Sequence, residues 1–445
     1  MKSKFGAAFV FLIAVCCSGL FLRFPAEPVV ADGINPADLA WMLSASGLVL
    51  LMTPGLSFFY GGMVSRKNIL STMLQSFIAL GVITVLYVTV VFSLSFGTSW
   101  NGIIGNPFEF AFFNGVGLNV HPVLSPAVPF LLFAAFQMKF AIITPALITG
   151  SFAERVKFSG YLLFISLFSI FIYAPLAHWT WHPDGFLHKW GVLDFAGGTV
   201  VHMSAGYAAL AGAIVLGQRK SYHHHHHHTE PANIPYILLG TGMLWFGWFG
   251  FNAGSSLGAN QTAVLAFMTT MVASASAMMT WVLYDAVRVK KISAMSACIG
   301  AVVGLVAITP AAGFVSIPQA LFIGFISAMI SNIAVSIKNK TSLDDTLDVF
   351  PCHGIGGISG MILTGVFAKD VGLVYGHSTT FLMHLLGLVV VSVYAFGGSY
   401  LLLLLTNKIA KLRVSPDEEE MGLDLSQHGE HYGRRRGVTE GEVTA

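Results

Sequence analysis

Long apolar stretches separated by short polar loops dominate this chain of 445 residues. After the N-terminal segment, eleven stretches come close to or exceed the roughly 20 apolar residues needed to cross a hydrocarbon core of about 30 Å. They lie at 39–62, 69–96, 126–150, 159–179, 194–217, 235–257, 259–287, 292–311, 316–337, 348–368 and 378–406. This pattern predicts an all-α polytopic membrane protein with eleven transmembrane helices.

Composition supports the same class. The chain is 55% hydrophobic and 10% charged, with a mean hydropathy of +0.73, whereas about a quarter of the residues in globular chains are charged. The formal net charge of +2 is too small to indicate nucleic-acid binding. These values exclude an ordinary soluble domain.

The first 31 residues are typical of a secretory signal. Lysines at positions 2 and 4 precede an apolar run at 5–22, and small residues at 29–31 offer a cleavage site. We expect a signal peptide that is cleaved, with a retained extra helix as the alternative. The membrane domain is then predicted over 32–406.

Two polar segments stand apart from the spans. Six consecutive histidines at 223–228 are interpreted as an engineered affinity tag and left out of the functional reading. Residues 407–445 are predicted to form a cytoplasmic C-terminal regulatory tail, either as a mobile solvated segment or as a docking segment. Acidic residues at 417–420 and arginines at 434–436 flank its middle.

The distribution of Lys and Arg in the loops predicts the topology. One set of loops, with the tail, carries fourteen of these residues, and the opposite set carries only Lys189 and Lys369. Because cytoplasmic loops are enriched in Lys and Arg, we expect a protein of the cell inner membrane with the mature N-terminus outside and the C-terminus inside.

Two histidines lie inside predicted spans, in glycine-rich stretches that each begin with an aspartate. Spans one to five begin outside and spans six to ten begin inside, which predicts an inverted repeat with one further helix. Asp194 precedes His202 and Asp348 precedes His353. At 1.5 Å per helical residue, the histidines lie about 12 Å and about 7.5 Å from opposite helix starts. Both aspartates are expected to cap these starts, and the histidines to approach each other.

A pair of imidazoles at membrane depth has specific chemistry. Ionisable residues in spans usually face a cavity that handles an ion, a proton or a substrate. Two imidazoles can share one hydrogen bond and resist carrying two charges, and Gly356 and Gly360 permit close helix approach. His384 has no aspartate companion, so it is read as a structural hydrogen-bonding residue.

Aromatic residues supply a second element. Trp181 follows the fourth span at its outer end, Phe140 falls in the third span, and Phe251 lies with Ser255 in the segment 248–255. Aromatic faces attract small cations, most strongly where water is partly excluded. Taken singly, each ring is better explained as a lipid-belt or core residue.

Together these stretches resemble the ammonium transporters of the Amt/Mep/Rh family, on the bacterial Amt side. The matching segments are 53–63, 136–140, 194–202, 248–255 and 348–357, in family order over nearly the whole chain. The resemblance implies a homotrimer with one pore per subunit and eleven spans, in two inverted five-helix halves plus one helix. It implies no enzyme activity, metal or cofactor.

The resemblance also implies residue roles. Trp181, Phe140 and Ser255 match an outer ammonium-binding site, Phe140 and Phe251 match the gate below it, and His202 and His353 match the twin histidines of the pore. Asp194 matches a structural support, a role expected also for Asp348 and Gln137. Tail segments 422–424 and 428–430 resemble a region that couples subunits and borders the docking surface for PII-type regulators.

The implied function is ammonium transport, in which ammonium is recruited, deprotonated and passed as ammonia, with the proton moving separately. The main alternative is an ammonium sensor that signals through its tail with little flux. A metal-dependent enzyme would need a third ligand near the histidines, and a carbon dioxide channel has no distinct support in the sequence.

Lys139 stands where a neutral residue is expected, beside Phe140. It could snorkel to the surface, pair with a carboxylate such as Glu154, or face the mouth and repel cations. We favour the pairing.

Overall fold

The computed structural model describes residues 2–22, 34–222 and 230–433. The expected signal cleavage site at 29–31, the histidine run at 223–228 and the arginines at 434–436 lie outside the described residues. Almost all regular structure in the described part is helical, which confirms the predicted fold class. Ten of the described helices are long and apolar enough to cross a membrane.

The described first half of the chain forms six long helices and one four-residue helix, Phe186–Lys189. Helix α1 is the short apolar N-terminal helix, and α2 to α6 are the first five spans. Some of them are joined from α-helical and π-helical segments that follow without a break. The bounds are α1 Lys2–Ser18, α2 Pro36–Met63, α3 Ile69–Leu86 with Tyr87–Val91 and Phe92–Phe96, α4 Phe130–Phe152, α5 Phe158–Phe168 with Ser169–Tyr173 and Ala174–Trp181, and α6 Gly198–Met203 with Ser204–Leu216.

The second half supplies the remaining spans and the C-terminal segment. The bounds are α7 Ile234–Ala253, α8 Gln261–Val289, α9 Ala294–Ile308, α10 Ile317–Lys338, α11 Phe350–Gly354 with Ile355–Phe367, α12 Ser378–Ile409 and α13 Pro416–Met421. A single π-helical turn at Asp424–His428 follows α13. Helix α9 matches the predicted span 292–311 but has only 15 residues, a length of about 22 Å.

Two antiparallel β-ribbons fill the long connection between α3 and α4. Strand β1 (Ser99–Trp100) pairs with β2 (Ile104–Gly105), and β3 (Val120–His121) pairs with β4 (Ser125–Pro129). We call the end of the bundle next to these ribbons the mouth end, and the end that carries α13 the tail end.

Close helix crossings at glycines hold the two halves together. Helix α2 packs along α7, and α6 crosses α11. A Cβ atom at Gly240 would lie 2.3 Å from the backbone nitrogen of Phe59, and one at Gly206 would lie 2.3 Å from that of Gly354. Backbone can approach backbone this closely only where a side chain is missing. The α6–α11 crossing lies next to His202 of α6 and His353 of α11.

Candidate functional site

His202 and His353 face each other in the core of the bundle. Their Nδ1 atoms are 3.4 Å apart, their ring centroids are 5.5 Å apart, and the rings are inclined by 22°. The side chains are almost completely buried, with exposed fractions of 1% and 3%. At this distance one Nδ1–H can donate a weak hydrogen bond to the other Nδ1, so the geometry matches the expected imidazole pair.

Both histidines lie on π-helical turns at the start of their helices. His202 belongs to the turn Gly198–Met203 and His353 to the turn Phe350–Gly354. A π-helical turn holds one more residue than an α-helical turn, and such turns recur at functional sites. Pro351 is the second residue of the turn Phe350–Gly354 and does not break the helix.

Asp194 fixes the start of α6 as expected. Its carboxylate accepts hydrogen bonds from the backbone N–H groups of Gly197 (2.8 Å), Gly198 (2.6 Å) and Thr199 (2.7 Å), and from the Thr199 hydroxyl (2.5 Å). Gly197 has φ +114°, a left-handed conformation that glycine adopts readily. Asp194 therefore acts on His202 through the backbone.

At the start of α11 the structure corrects the expected cap. Asp345, rather than Asp348, accepts the hydrogen bond from the Phe350 N–H, at 2.7 Å. Asp348 instead forms an ion pair with Lys338, with 2.6 Å between its Oδ1 and Nζ. The reason is conformational, because Asp348 has φ +57° and the residue three positions earlier is oriented to reach the free N–H.

Aromatic rings form a continuous column between the mouth end and the histidines. Phe140 and Phe251 stack at 4.2 Å with an inclination of 25°, and Trp181 meets the Phe140 ring edge-on at 5.7 Å. The Trp181 indole N–H donates to the backbone carbonyl of Asp194, at 3.1 Å. Phe251 lies 6.1 Å from His202. The structure thus brings together five of the predicted site residues.

A cavity of about 210 Å³ lies at the mouth end of the bundle, and we call it the mouth cavity. A separate cavity of about 340 Å³ lies beside α1. The mouth cavity ends on the aromatic column. Its lining includes Gln137, Phe140, Trp181 and Ser255, and the other lining residues are Phe96, Val123, Leu124, Phe133, Pro183, Phe195 and Leu257. No carboxylate lines this cavity in the described part of the chain.

Two polar side chains of this mouth cavity differ in their hydrogen bonding. The Ser255 hydroxyl donates to the Phe251 carbonyl at 2.8 Å, which leaves its oxygen lone pairs available. The Gln137 Oε1 is buried and accepts no hydrogen bond from the described residues. Both can therefore accept from a small donor in the cavity.

Trp248 is a member of the site that sequence reasoning did not assign. Its ring stacks on His202 at 5.4 Å and 15°, and its indole N–H donates to the Thr309 hydroxyl at 2.9 Å. Its position one helical turn before Phe251 was the available signal. Of the two ring nitrogens of His202, Nδ1 faces His353. The other, Nε2, is buried without a hydrogen-bond partner among the described residues.

Two further buried histidines are structural. His384 Nε2 accepts from the Leu193 N–H at 2.9 Å, so its Nδ1 carries the proton and donates to the Met361 carbonyl at 2.8 Å. This agrees with the structural reading of His384. His178 Nδ1 lies 2.9 Å from the Ser95 carbonyl and its Nε2 lies 2.7 Å from the Ser99 hydroxyl, which anchors the first ribbon.

Lys139 does not form the favoured ion pair. Glu154 pairs with Arg219, at 2.7 Å, and no carboxylate of the described residues lies within ion-pair distance of Lys139. The side chain is half-buried and is absent from the lining of the mouth cavity. The expected pairing with Glu154 is therefore wrong, because Glu154 lies beyond the tail end of α4, about 22 Å of helix from Lys139, and already pairs with Arg219 there.

A buried charge cluster ties the loops together at the tail end. Arg219 bonds Glu154 and also Asp344, with 2.9 Å between its Nε and the Asp344 Oδ2. Burial raises the pKa of the Glu154 carboxyl, but Arg219 and the Ser65 N–H more than offset this effect, so that the pKa is lowered. Burial likewise raises the pKa of the Asp344 carboxyl, but the positive charges of Arg155 and Arg219 outweigh this effect, so that the pKa is lowered.

The C-terminal segment docks against the same end. The Asp424 carboxylate accepts from the backbone N–H groups of Leu70 (3.1 Å) and Ser71 (2.8 Å) at the start of α3. Arg413 pairs with Glu419 at 2.9 Å and donates to the Leu216 carbonyl at 2.7 Å. Within the described residues the segment is thus ordered by specific contacts.

No group of three or more His, Cys, Asp or Glu residues that could hold a metal ion occurs among the described residues. The cysteines of the spans, Cys298 and Cys352, are buried and unpaired with each other.

Comparison with known proteins identifies the family. The model of the Ammonium Transporter Family matches residues 40–432. An ammonium transporter of Aquifex aeolicus is 45% identical over 405 residues, covering 89% of this chain and 93% of the relative. The crystal structure of Saccharomyces cerevisiae Mep2 has a TM-score of 0.82 and 32% identity, covering 89% of this chain and 94% of that chain.

A structure described as a sensor Amt protein is also similar. Its TM-score is 0.81 at 31% identity, and the match covers 88% of this chain and 98% of that chain. The match of the family model extends over most of the chain, from the second helix to the C-terminal segment. The chain therefore belongs to the Ammonium Transporter Family.

Proposed function

We propose that the protein transports ammonium by taking it up at the mouth cavity, deprotonating it and passing ammonia along His202 and His353. The observation that carries this proposal is the aromatic column, which joins the mouth cavity to a histidine whose Nε2 is buried and unpartnered. A polar atom without a partner in an apolar core is costly unless a ligand or water satisfies it.

The mouth cavity suits a small cation. The faces of Trp181 and Phe140 attract ammonium electrostatically, and the oxygens of Ser255 and Gln137 can accept its N–H groups. These contacts offset part of the hydration that the ion loses. In this reading Trp181, Phe140 and Ser255 bind the substrate, and Gln137 supports the site.

The stacked rings of Phe140 and Phe251 separate the mouth cavity from the histidines. A bare ion crossing this apolar constriction would lose its hydration at a cost of many kcal/mol. Loss of one proton from ammonium gives neutral ammonia and removes most of that cost. The proton stays on water at the mouth or crosses separately along water and the imidazoles.

The histidine pair can then bind ammonia without a net charge. Nε2 of His202 can donate to the ammonia nitrogen or accept one of its N–H groups, according to the tautomer. The shared Nδ1–Nδ1 hydrogen bond makes the two tautomers interdependent. Potassium cannot lose a proton, so this mechanism excludes it despite its similar radius.

Current recorded across a supported membrane after an ammonium pulse tests the proposal on reconstituted protein. We expect a transient with ammonium, none with potassium, and an altered transient in the His202→Ala and His353→Ala variants. Robust potassium current through the unaltered protein would overturn the mechanism. If ammonium produces no current, a pH-sensitive dye inside the liposomes distinguishes electroneutral ammonia conduction from absence of flux.

A second candidate function is ammonium sensing through the tail. Similarity to the sensor Amt structure and the ordered docking of the C-terminal segment favour this alternative. A sensor would bind ammonium at the mouth cavity but give neither current nor dye signal. Calorimetric binding on the same preparation therefore separates the two functions.

The arrangement in the membrane is also a proposal. We infer a homotrimer with the mouth end outside, the tail end in the cytoplasm and residues 1–31 removed as a signal peptide, and we expect a PII-type regulator as the partner of the tail end. The trimer is what membership of the Ammonium Transporter Family implies. Native mass spectrometry of the purified protein tests both the subunit number and the cleavage.

A further inference from the structure

A second cavity opens at the tail end, where α11 begins. Its volume is about 530 Å³, and it is lined mainly by polar and charged side chains. Lys338, at the end of α10, and Asp348, five residues before His353, both line it. We call it the tail-end cavity. A solute that has passed His353 in this direction would meet these two charges.

Lys338 and Asp348 form a close and largely buried ion pair. The Nζ and Oδ1 atoms are 2.6 Å apart, and the exposed fractions of the two side chains are 10% and 13%. The same Nζ donates to the backbone carbonyl of Asp345, at 3.0 Å. The lysine ammonium is thus held by a carboxylate and a carbonyl.

The oxygens around Lys338 are held in place by the backbone. Asp348 has φ +57°, a conformation that costs a non-glycine residue free energy and recurs at functional sites. Its own carbonyl accepts from the Cys352 N–H at 3.0 Å, in the turn that carries His353. Asp345 is tied to the same turn through the Phe350 N–H.

The end group of lysine is chemically close to ammonium. It carries one positive charge and three N–H donors on nitrogen, and oxygens that hold it within hydrogen-bond distance would also hold a free ammonium ion. We propose that Lys338 is a tethered competitor that keeps the oxygens of Asp348 and Asp345 filled, so that ammonium formed at the tail end is released instead of retained. This role of Lys338 rests on the proposed function.

The other cations that line the cavity are Arg219, Arg288 and Lys340. Arg219 is paired with Glu154 and Asp344, and within the described residues Lys340 forms no ion pair with Asp348. Arg288 donates to the Ser336 hydroxyl at 3.0 Å, and Asp285 accepts from Ser296 at 2.6 Å and from Asn332 at 3.0 Å. These contacts join α8, α9 and α10. Removal of the Lys338 charge therefore takes away the ion-pair partner that Asp348 has among the described residues.

The test measures equilibrium binding on purified full-length protein, because binding is independent of whether the protein gives current. The unfolding temperature is measured as a function of ammonium or methylammonium concentration. Four proteins are compared: the wild type, Lys338→Met, Lys338→Arg, and a double variant that combines Lys338→Met with Asp348→Asn. In Lys338→Met we expect half-maximal stabilisation at an ammonium concentration about tenfold lower than in the wild type, since a competing charge is gone.

The two controls separate charge from packing. Lys338→Arg keeps the positive charge, and the double variant removes the anion, so neither should gain ammonium binding. A curve for Lys338→Met that coincides with the wild-type curve would overturn the proposal, as would a gain that persists in the double variant. Sodium at equal ionic strength replaces ammonium in a parallel titration.

If Lys338→Met is unstable in sodium, it is purified in ammonium instead. The proposal then expects the folded fraction to recover with ammonium, because the free ion replaces the missing side chain. Absence of recovery in ammonium would contradict it. Loss of transport in the wild type would defeat the proposed function but leave this binding result intact, so the two failures are distinguishable.

Discussion

At the scale of single residues, His384 shows how a buried histidine can be committed to structure. Both of its ring nitrogens are bonded to backbone groups, one to Leu193 and one to Met361. Leu193 directly precedes Asp194, whose carboxylate fixes the turn that carries His202. His384 therefore holds the local backbone of the site without lining it.

Replacement of His384 by Leu tests this role. The change leaves a buried N–H and a buried carbonyl without partners, each at a cost of about 1–3 kcal/mol. We expect a lower apparent unfolding temperature in detergent, and a weaker ammonium transient because the Asp194 turn loosens. The matched control is Val389→Leu on the exposed face of the same helix, which should change neither. An unchanged unfolding temperature in His384→Leu would contradict the structural reading.

At the scale of elements, the π-helical turns and the glycine crossing bring the histidines together. The first turn of α6 and the first turn of α11 each hold one more residue than an α-helical turn, and each carries one of the histidines. Gly206 lets the two backbones touch next to His353. The separation of the imidazoles depends on this crossing.

The variant Gly206→Ala tests that dependence. Its Cβ would lie 2.3 Å from the Gly354 nitrogen and 2.4 Å from its Cα, so the helices must move apart, at about 1–3 kcal/mol. We expect reduced stability and loss of most of the ammonium transient. Gly81→Ala on α3 is the control, since nothing lies within 4 Å of its added Cβ. Full transport by Gly206→Ala would show that the crossing tolerates separation.

The sequence predicted these elements unevenly. The apolar stretches located the spans, and the spacing of aspartate, glycine and histidine anticipated the pairing of His202 with His353. The π-helical turns, the short length of α9 and the use of Asp345 as the cap were not predicted. Each depends on contacts between the end of one helix and residues distant in sequence, and the pattern of apolar residues does not report such contacts.

At the scale of the whole molecule, charged loops distant in sequence converge at the tail end. Arg219 joins Glu154, from the loop after α4, to Asp344, from the loop before α11. Lys220 donates its backbone N–H to Glu419 of the C-terminal segment, at 2.6 Å. Such contacts join positions more than 60 residues apart, which explains why Glu154 was wrongly assigned to Lys139.

Replacement of Arg219 by Met tests the cluster. Breaking a buried ion pair leaves uncompensated charge and costs about 3–5 kcal/mol, so we expect a markedly lower unfolding temperature at neutral pH. Lys157→Met, at a partly exposed position in the same loop as Glu154, is the control. Equal stability of Arg219→Met and wild type would refute the role of the cluster.

The same variant should also change the pH dependence of stability. The lowered pKa values of Glu154 and Asp344 mean that the wild type has their stabilisation above the unfolded-state pKa of about 4 and loses it as pH falls through the folded-state values. In Arg219→Met only the Ser65 N–H still opposes the effect of burial at Glu154, so the pKa of this carboxyl rises relative to the wild type and the variant should lose less stability on acidification. Unfolding temperatures from pH 7 downward measure both slopes.

The composition of the mouth cavity has a kinetic consequence. Carboxylates at an entrance concentrate cations from solution, and dissolved salt screens that attraction over about 10 Å at 0.1 M. The described lining holds rings, a hydroxyl and an amide, but no carboxylate. Capture should then depend on short-range contact, and the initial rate of ammonium entry should change little with ionic strength set by an inert salt. An entrance of this kind would work equally well in dilute and in saline water.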